Sequence, residues 1–310
     1  MSLNKELWLP VIEGNLFSRW ELLNTLGTDD TGYIVSPQGN NKKVYIPQAG
    51  ASGGVTINPS TWPRPIQERV DDEHNYTLDH IFVDPIRLGN FDTAHLSYDK
   101  MSSILRDFAG DIGEAQLYKT FINWYTNNTV TASRVLTGGT AATSAATGST
   151  QSVKKLILTD MIKVAETLDN MLIPDDGQRY AVLPAQMFYH LLESIVTGTH
   201  NITIIEKDGM QMLNQPIYGL NIVKFPKVIN CVTSTYATRA FGHAGATTDR
   251  QAGIAFHKSM VSVAKGDLNV MINEQDATMG GDILSAESWI GGKFRRKDQK
   301  GVVPIIQANA

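Results

Sequence analysis

The sequence predicts an α+β fold, and three observations support this class. One long amphipathic helix covers about residues 97–125, two extended segments joined by a Gly/Pro-rich tip precede it, and strand-like segments dominate the last third of the chain. The helix is well over twice the mean length of helices in globular proteins, and it needs a long surface to lie on. We therefore expect a flat, elongated molecule with this helix as its backbone.

The helix prediction comes from a broad apolar stripe of helical period between Ser97 and Tyr125. Ser97 stands at the N-cap position, where its hydroxyl can accept a hydrogen bond from a first-turn amide. About 28 residues at 1.5 Å each give a length of roughly 42 Å. Gly110 and Gly113 each weaken a helix by up to about 1 kcal/mol relative to Ala, so we expect close packing or a bend there. The stripe comprises Met101, Ile104, Leu105, Phe108, Ile112, Ala115, Tyr118, Ile122 and Tyr125.

The first 30 residues are too apolar for a free tail. Pro10, Gly14 and Gly27 divide them into pieces too short to fold alone. We expect an arm that lies on its own body or on a neighbouring subunit. Its apolar residues are Leu7, Trp8, Leu9, Val11, Ile12, Leu16, Phe17, Trp20, Leu22, Leu23 and Leu26.

Residues 33 to about 88 are predicted to form a projecting hairpin. An alternating strand begins near Lys43, dense prolines at positions 59, 63 and 65 exclude a helix, and a second strand follows. Tyr76, Leu78, His80 and Phe82 are expected on one face of that second strand. A lone two-stranded ribbon is marginal in water and has open edges, so we expect it to lie on another chain.

The chain after the long helix begins with a segment rich in Thr, Ala, Gly and Ser, which predicts a surface loop at about residues 127–150. A second helix over residues 152–172 is followed by a turn, a strand and a short helix that begins near Pro184. Strands dominate the remainder. The hairpin base and the long helix lack strand partners, so we expect the C-terminal strands to return beside the helix. About residues 155–250 are then an insertion.

Charge and cysteine content limit the function classes. The chain has 27 basic and 31 acidic residues and a net charge of −4, so general nucleic-acid binding is not expected. The single cysteine, Cys231, allows no internal disulfide and is interpreted as a buried thiol. No apolar run approaches the ~18 residues of a membrane span. Glu6, Glu13 and Arg19 interrupt the N-terminal apolar residues, so we expect no signal peptide and synthesis in a cytosol.

No catalytic or metal-binding set emerges from the sequence. His190 and Glu193 lie one helical turn apart, but no further ligand pattern is near them. His243 and His257 flank a glycine-rich loop without a cysteine or a carboxylate pair at metal spacing. The acidic clusters are expected to be solvated or to face other subunits, because nothing places them beside a nucleophile. We predict no enzymatic activity, catalytic residue, metal or cofactor.

Four segments, taken in order, carry a resemblance to a known family. They are YTLDHIFVDPIRLGNFDTAHLSYDKMSSILRDFAGDIGEAQLYKTFINWY from residue 76, AETLDNMLIPDDGQRYAVLPAQMFYHLLES from residue 165, QPIYGLNIVKFP from residue 215, and GIAFHKSMVSVAKGDLNV from residue 253 with AESWIGGKFRRKDQKGVVPII from residue 286. Their succession resembles the major capsid proteins of tailed double-stranded-DNA bacteriophages, which have the Hong Kong 97-like fold.

The resemblance implies a division of the chain into four parts. These are an N-terminal arm at 1–32, an E-loop hairpin at 33–83, a P-domain at 84–154 and 251–310 with its spine helix at about 97–125, and an A-domain at 155–250. We expect no charged helical pre-segment before the arm. The resemblance therefore implies a separate scaffolding protein or earlier cleavage of the chain.

The resemblance also implies function, location and partners. It implies self-assembly into hexamers and pentamers that form an icosahedral shell around phage double-stranded DNA. The protein is then a structural component of the virion capsid, made and assembled in the bacterial host cytoplasm. Implied partners are other copies of the chain, a scaffolding protein, a portal, a decoration protein and the packaged DNA by weak non-specific contact, without a membrane.

Cationic and aromatic residues on exposed segments are the candidates for subunit contacts. Trp62 near the hairpin tip, with Arg64 and Arg69, suits an anchor, because Trp and Arg are enriched at interface centres. The basic run at 293–300 fits a solvated loop as well as it fits contact with a subunit or packaged DNA. The candidate subunit-contact residues are Trp8, Phe17, Trp20, Trp62, Arg64, Arg69, Arg295 and Arg296.

Two alternatives to a phage capsid protein stay open at this point. An encapsulin-like nanocompartment shell has the same fold, so the sequence separates it poorly from a phage capsid. An enzyme with a pocket in residues 155–250 is a third reading, and it is disfavoured because no catalytic set is present.

Overall fold

The computed structural model describes residues 23–35, 42–50, 54–63, 66, 68–89, 100–125, 133–196, 202–207, 210–225, 229–232, 234–276, 278 and 280–310. Its mixture of helices and sheets confirms the predicted α+β class. Besides a helical turn at residues 23–26, the helices are α1 (Lys100–Trp124), α2 (Leu158–Asn170) and α3 (Ala185–Val196). The strands are β1 (Thr28–Asp29), β2 (Ile34–Val35), β3 (Lys43–Gln48), β4 (Asp72–Thr77), β5 (Asp79–Gly89), β6 (Val135–Leu136), β7 (Ala141–Thr143), β8 (Ser152–Lys154), β9 (Arg179–Pro184), β10 (Ile204–Lys207), β11 (Met210–Leu213), β12 (Leu220–Phe225), β13 (Ile229–Val232), β14 (Asp249–His257), β15 (Val261–Asp276), β16 (Gly281–Phe294) and β17 (Val302–Ile306).

Helix α1 confirms the predicted long helix, while its N-cap at Ser97 lies outside the described residues. The predicted apolar stripe is buried in the first half of the helix, where Leu105, Phe108 and Ile112 are in the core. In the second half Phe121 and Trp124, which the stripe omitted, are more buried than Ala115 and Ile122. On a straight helix, residues that recur every seven positions rotate by about 20° per heptad around the axis. By the second half of the helix they no longer point at the core, and other residues take the buried positions. The expectation of close packing at Gly110 is wrong, because a Cβ there meets open space.

One long β-sheet contains the strands that lie between residues 179 and 257, together with β6 and β17. Helices α2 and α3 pack on it. Its strand order is β10-β11-β12-β9-β14-β17-β6, and β13 pairs with β14. Strands β9 and β12 run parallel, whereas β14 is antiparallel to β9. The strand and helix expected around Pro184 are confirmed as β9 and α3. The apolar faces of α2 and α3 form one core cluster with this sheet.

A second sheet carries α1. Its order is β1-β15-β16-β5, so β5 is an edge strand within the described part of the chain. Helix α1 packs against β16 and β5, and Phe108, Ile112 and Leu284 are buried between them. The expected return of C-terminal strands beside the long helix is confirmed by β15 and β16.

The strand pairing does not follow the proposed boundary at residue 250. Strands β14 and β17 come from the predicted P-domain, yet β14 pairs with β9 of the predicted A-domain and β17 pairs with β14. Polypeptide segments on both sides of residue 250 therefore share one sheet. The domain limits stay a prediction.

The two sheets meet at a core centred on Trp124. Its ring contacts Phe121 and Phe256 edge-to-face, and its indole N–H donates to the Ser262 carbonyl at 2.9 Å. Leu23 and Leu26 also lie in this cluster. The end of the predicted N-terminal arm, from residue 23 onward, is thus packed into the body, and residues 1–22 lie outside the described residues.

The hairpin is a three-stranded sheet and not the two-stranded ribbon that was predicted, because β2 pairs with the free side of β3. Its second strand is also divided: β4 pairs with β3, and β5 joins the sheet under α1. Tyr76 and Leu78 are buried, but His80 and Phe82 face outward, and Ile81 turns inward instead. The prediction of one common face is wrong, because the chain changes sheets at Leu78.

Most of residues 138–150 is exposed, as predicted for a surface loop at 127–150, but residues 133–154 also contain the short strands β6, β7 and β8. Strands β7 and β8 pair with each other, and the Gln186 side chain accepts from the Ala145 amide and donates to the Thr143 carbonyl. The Ser149 hydroxyl donates to the Asp249 carbonyl at 2.6 Å. The second helix is also shorter than predicted, since β8 occupies residues 152–154. Hydrogen bonds to the body, together with the buried side chains of Val135 and Val153, hold this segment in place.

Asp249 is a buried carboxylate that orders the loop before β14. One of its oxygens accepts two hydrogen bonds from Arg239, at 2.7 and 2.9 Å, and the other accepts from the Ala246 amide at 3.0 Å. Asp249→Ala leaves a half-buried guanidinium and an amide without their acceptor. We expect a loss of about 2–4 kcal/mol in the free energy of unfolding. Urea titration measures this loss, and a change below about 1 kcal/mol would contradict the role given to Asp249.

Candidate subunit-contact surfaces

The tip of the hairpin, which we define as residues 54–70, exposes large apolar side chains. Trp62 is 75% exposed and Ile66 is 99% exposed, values that a folded chain rarely leaves uncovered in such a group. The other exposed apolar residues of the tip are Val55, Ile57 and Val70. The described part of the chain places no body residue over this group, so the tip suits burial against a partner.

The cations proposed for the tip have different surroundings. Arg69 donates from its Nε to the Asp71 carboxylate at 2.6 Å, with both side chains more than half exposed. A hydrogen bond from the Gly50 amide, and then Arg69, hold the pKa of Asp71 below its usual range. Asp71 therefore links the two sides of the hairpin at the base of the tip by accepting from Gly50, and Arg69 is engaged by this carboxylate of its own chain. Arg64 and the arm residues Trp8, Phe17 and Trp20 lie outside the described residues.

The basic run at 293–300 pairs with carboxylates of its own chain. Arg295 approaches Asp30 to 3.2 Å, and Arg296 reaches Asp298 at 2.8 Å. Lys297 forms an ion pair with Asp72 at the hairpin base, and Lys300 is 4.0 Å from Asp298. Intramolecular neutralisation lowers the positive potential available to DNA. Arg295 and Arg296 are therefore each paired with a carboxylate, and half of the Arg296 side chain remains exposed.

A groove of about 840 Å³ runs between the edge strand β5 and α1. Phe82 and Ile86 on β5, with Phe241 from the loop before β14, leave 40–52% of their surface exposed at this groove. We call it the α1–β5 groove. Its apolar floor and the edge of β5, which pairs with no strand on that side among the described residues, provide both surface and backbone hydrogen-bonding groups to a bound segment.

The rim of the α1–β5 groove is acidic. Asp84 lies on β5, while Asp107, Asp111 and Glu114 follow one face of α1 at helical spacing. Lys119 at one end is 3.4 Å from Asp79. The spacing of the α1 carboxylates is visible in the sequence, but by itself it does not indicate a groove. The opposing strand could not be assigned before the sheet order was known.

The titratable residues considered for chemistry occupy structural positions. His257 lies between Asp176, at 2.9 Å, and Ser259, at 2.8 Å. Burial raises the pKa of the Cys231 thiol to about 12, so it is a thiol and not a nucleophilic thiolate at neutral pH. Among the described residues no three His, Cys, Asp or Glu side chains form a group that could hold a metal ion. No described helix is long and apolar enough to cross a membrane.

The chain is similar to known proteins in structure but not in sequence. No family model matches the chain, and no curated protein matches it. Among solved structures, a capsid protein of the cyanophage P-SCSP1u is similar with a TM-score of 0.57 at 17% identity, covering 92% of this chain and 87% of the other. The capsid of Ralstonia phage GP4 gives 0.58 at 11% identity, with 92% and 87% covered. The SrpI encapsulin of Synechococcus elongatus gives 0.52 at 9% identity, with 78% of each chain covered. At these identities the likeness establishes the fold alone.

Proposed function

We propose that this chain, which has the Hong Kong 97-like fold of tailed-phage capsid proteins, is a major capsid protein whose copies form an icosahedral shell around phage double-stranded DNA. The predicted fold is confirmed by the structural likeness over 92% of the chain. One observation supports the step from this fold to assembly. The apolar side chains of the hairpin tip are exposed, and no other part of the described chain packs on them. A subunit built for a closed shell leaves such surfaces for its neighbours.

Burial of the tip supplies the driving force for assembly. Each square ångström of apolar surface removed from water contributes about 25 cal/mol, so a few large side chains contribute several kcal/mol at each contact. That gain must exceed the entropy lost when a subunit is fixed, so one contact alone gives weak binding. A shell repeats the contact around every capsomer, and the effective concentration within the assembly makes the repeated contacts strong. Hexamers and pentamers are the proposed capsomers.

The proposed receptor for the hairpin tip is the α1–β5 groove of an adjacent copy. Phe82, Ile86 and Phe241 give the groove an apolar floor for Trp62 and Ile66 of the tip. The hairpin tip contains Arg64, Glu68 and Arg69, a net charge of +1, whereas the groove rim carries several carboxylates. Apolar contact at the centre with opposite charges at the rim is the ordinary arrangement of a protein interface.

The remaining partners follow from the proposed shell. A scaffolding protein, a portal and a decoration protein are expected alongside the chain itself. Contact with packaged DNA is expected to be weak, because Arg295, Arg296 and Lys297 of the basic run at 293–300 each pair with a carboxylate of the same chain. The subunit acts as a structural protein in the virion, and its assembly takes place in the host cytoplasm.

The second candidate function is a nanocompartment shell that encloses a cargo protein. The likeness to the SrpI encapsulin over 78% of the chain favours it. Both candidates need the same subunit contacts, so geometry does not separate them. The contents of the particle do.

Electron microscopy of the purified full-length chain tests the proposal. We expect closed icosahedral particles, with nuclease-protected DNA when they are isolated from cells in which DNA is packaged. Particles that carry a protein cargo and no nucleic acid would instead support the nanocompartment. A chain that stays monomeric at every protein and salt concentration, with or without co-expressed scaffolding protein, would contradict both.

A further inference from the structure

The hairpin is attached to the body at a joint where β3 and β4 meet β15, β16 and the loop after β16. Lys42 pairs with Asp267, and Lys297 pairs with Asp72. Inside the joint the Tyr76 hydroxyl is 2.7 Å from the Ser262 hydroxyl. Apolar side chains of β3 and β4 pack there against the body residues Ala264 and Trp289. The angle of the hairpin to the body depends on this joint.

His74 lies within the joint and has few polar partners. Only 7% of its surface is exposed, and its ring stacks on Phe294 of β16 with centroids 5.3 Å apart and planes at 19°. The ring also makes a hydrogen bond to the backbone of Phe294. Its Nε2 is buried and has no hydrogen-bond partner in the described part of the chain. A proton added to Nε2 would therefore be buried without an acceptor.

The charges that face His74 from the body are positive. Lys293 of β16 and Lys297 of the following loop both disfavour a charged ring, whereas Asp72 on β4 favours it. Burial, and then these two lysines, lower the pKa of His74 below its usual value of 6.5. Asp72 is already engaged by Lys297, which holds the pKa of that carboxyl below its usual range.

We propose that His74 makes the joint an acid-sensitive latch: the neutral ring holds the hairpin stem against the body, and a protonated ring releases it. The buried ring packs on Phe294 only when it is uncharged, because the charged form meets two lysines and has no acceptor for its second N–H. When the stem separates from the body, water and solvent counter-ions stabilise the charged ring. Acid therefore favours the separated state.

The direction of the effect follows from proton linkage. A histidine whose pKa is lowered in the docked state binds more protons when the joint is open. Docking is at full strength above about pH 6.5 and weakens as the pH falls below that value. His80 lies at the outer side of the same joint, and its Nε2 is 2.8 Å from the Glu287 carboxylate, so unlike the Nε2 of His74 it has an acidic partner.

Hydrogen exchange on the full-length chain tests the latch without any assembly assay, so its outcome is independent of the proposed function. Amides of β3 and β4 are compared between about pH 7.5 and about pH 5.5, after correction for intrinsic exchange rates. We expect severalfold greater opening of these strands at the lower pH, while β9 and β14 keep their protection. His74→Phe keeps a stacked ring that does not titrate, and we expect it to abolish the acid response. His74→Gln is the alternative if the first variant does not fold.

His190→Gln is the matched control. Burial also lowers the pKa of His190, and its Nδ1 is buried without a hydrogen-bond partner in the described residues, but it lies on α3, away from the hairpin. This variant should retain the acid response of β3 and β4. Equal protection of the wild-type stem at both pH values would overturn the proposal, and so would an acid response that survives both His74 substitutions.

Discussion

Trp62→Ala is expected to abolish particle formation at subunit concentrations where the wild-type chain assembles, while the melting temperature of the subunit stays unchanged. Trp62 is 75% exposed, so its removal costs the isolated subunit little packing. At the centre of an interface a buried Trp contributes about 2 kcal/mol or more, a factor of about 30 in the affinity of each contact. A shell multiplies this loss over every repeated contact. Light scattering measures assembly, and calorimetry measures the melting temperature.

Phe82→Glu tests the other half of the same contact. It places a charge on the apolar floor of the α1–β5 groove without disturbing the core, because Phe82 is 47% exposed. If Trp62 enters this groove, each substitution alone abolishes most of the contact, and the double variant loses less than the sum of the two. Tyr189→Ala is the control, since this α3 aromatic residue is 49% exposed and belongs to neither surface.

Three results would contradict this account. Additive effects of the Trp62 and Phe82 substitutions would place the hairpin tip outside the α1–β5 groove. Normal particles from Trp62→Ala would show that the anchor residue of the tip is not needed for assembly. A large fall in the melting temperature of Trp62→Ala without an assembly defect would show that the residue is part of the subunit core.

The elements that sequence reasoning predicted are those whose signals are local. The apolar period of α1 and the Pro184 junction between β9 and α3 depend on neighbours within a few residues. The succession of such elements was enough to predict the Hong Kong 97-like fold, although no sequence family matches the chain. Element order is retained where sequence identity has fallen below 20%.

The failures have a common physical origin in contacts between distant segments. The Thr/Ala/Gly-rich stretch after α1 looked unstructured because it has few apolar residues, but Gln186 and the backbone of Asp249 hydrogen-bond it to the body. The carboxylate Asp72, which pairs with Lys297 of the basic run, could not be predicted as its partner because it is more than 200 residues away in sequence. The alternation of buried and exposed residues shifts by one position at Leu78, because the chain passes there from the hairpin sheet to the sheet under α1.

The candidate contact residues were predictable in part. Trp62 was identified from its residue type and its position between prolines, and the structure leaves it exposed as an anchor would be. Arg295 was chosen for its charge, but its proximity to buried Asp30 depends on a pairing across the whole chain. The groove needs β5, α1 and the loop that carries Phe241 together, and no local pattern indicates that juxtaposition.

Trp124→Ala is expected to have the largest effect on stability, a loss of about 3–5 kcal/mol in the free energy of unfolding. The side chain is fully buried where the two sheets meet, and it packs on Phe121 and Phe256. A Cβ at Gly27 or Gly292 would lie about 3.0 Å from its ring, so the backbone is closely fitted around the indole and is poorly able to close the cavity. The loss of the indole N–H also leaves the buried Ser262 carbonyl without this donor.

Urea unfolding of the subunit measures this effect as a fall in the transition midpoint at an unchanged slope. Trp124→Phe retains part of the packing and removes the hydrogen bond, so its loss should be smaller, about 1–3 kcal/mol. Trp62→Ala serves as the control of the same residue type, and its midpoint should not move. If Trp124→Ala lowers the free energy of unfolding by less than about 1 kcal/mol, this residue does not hold the two sheets together. A large loss at Trp124 and none at Trp62 would separate the tryptophan that holds the subunit together from the one that joins it to its neighbours.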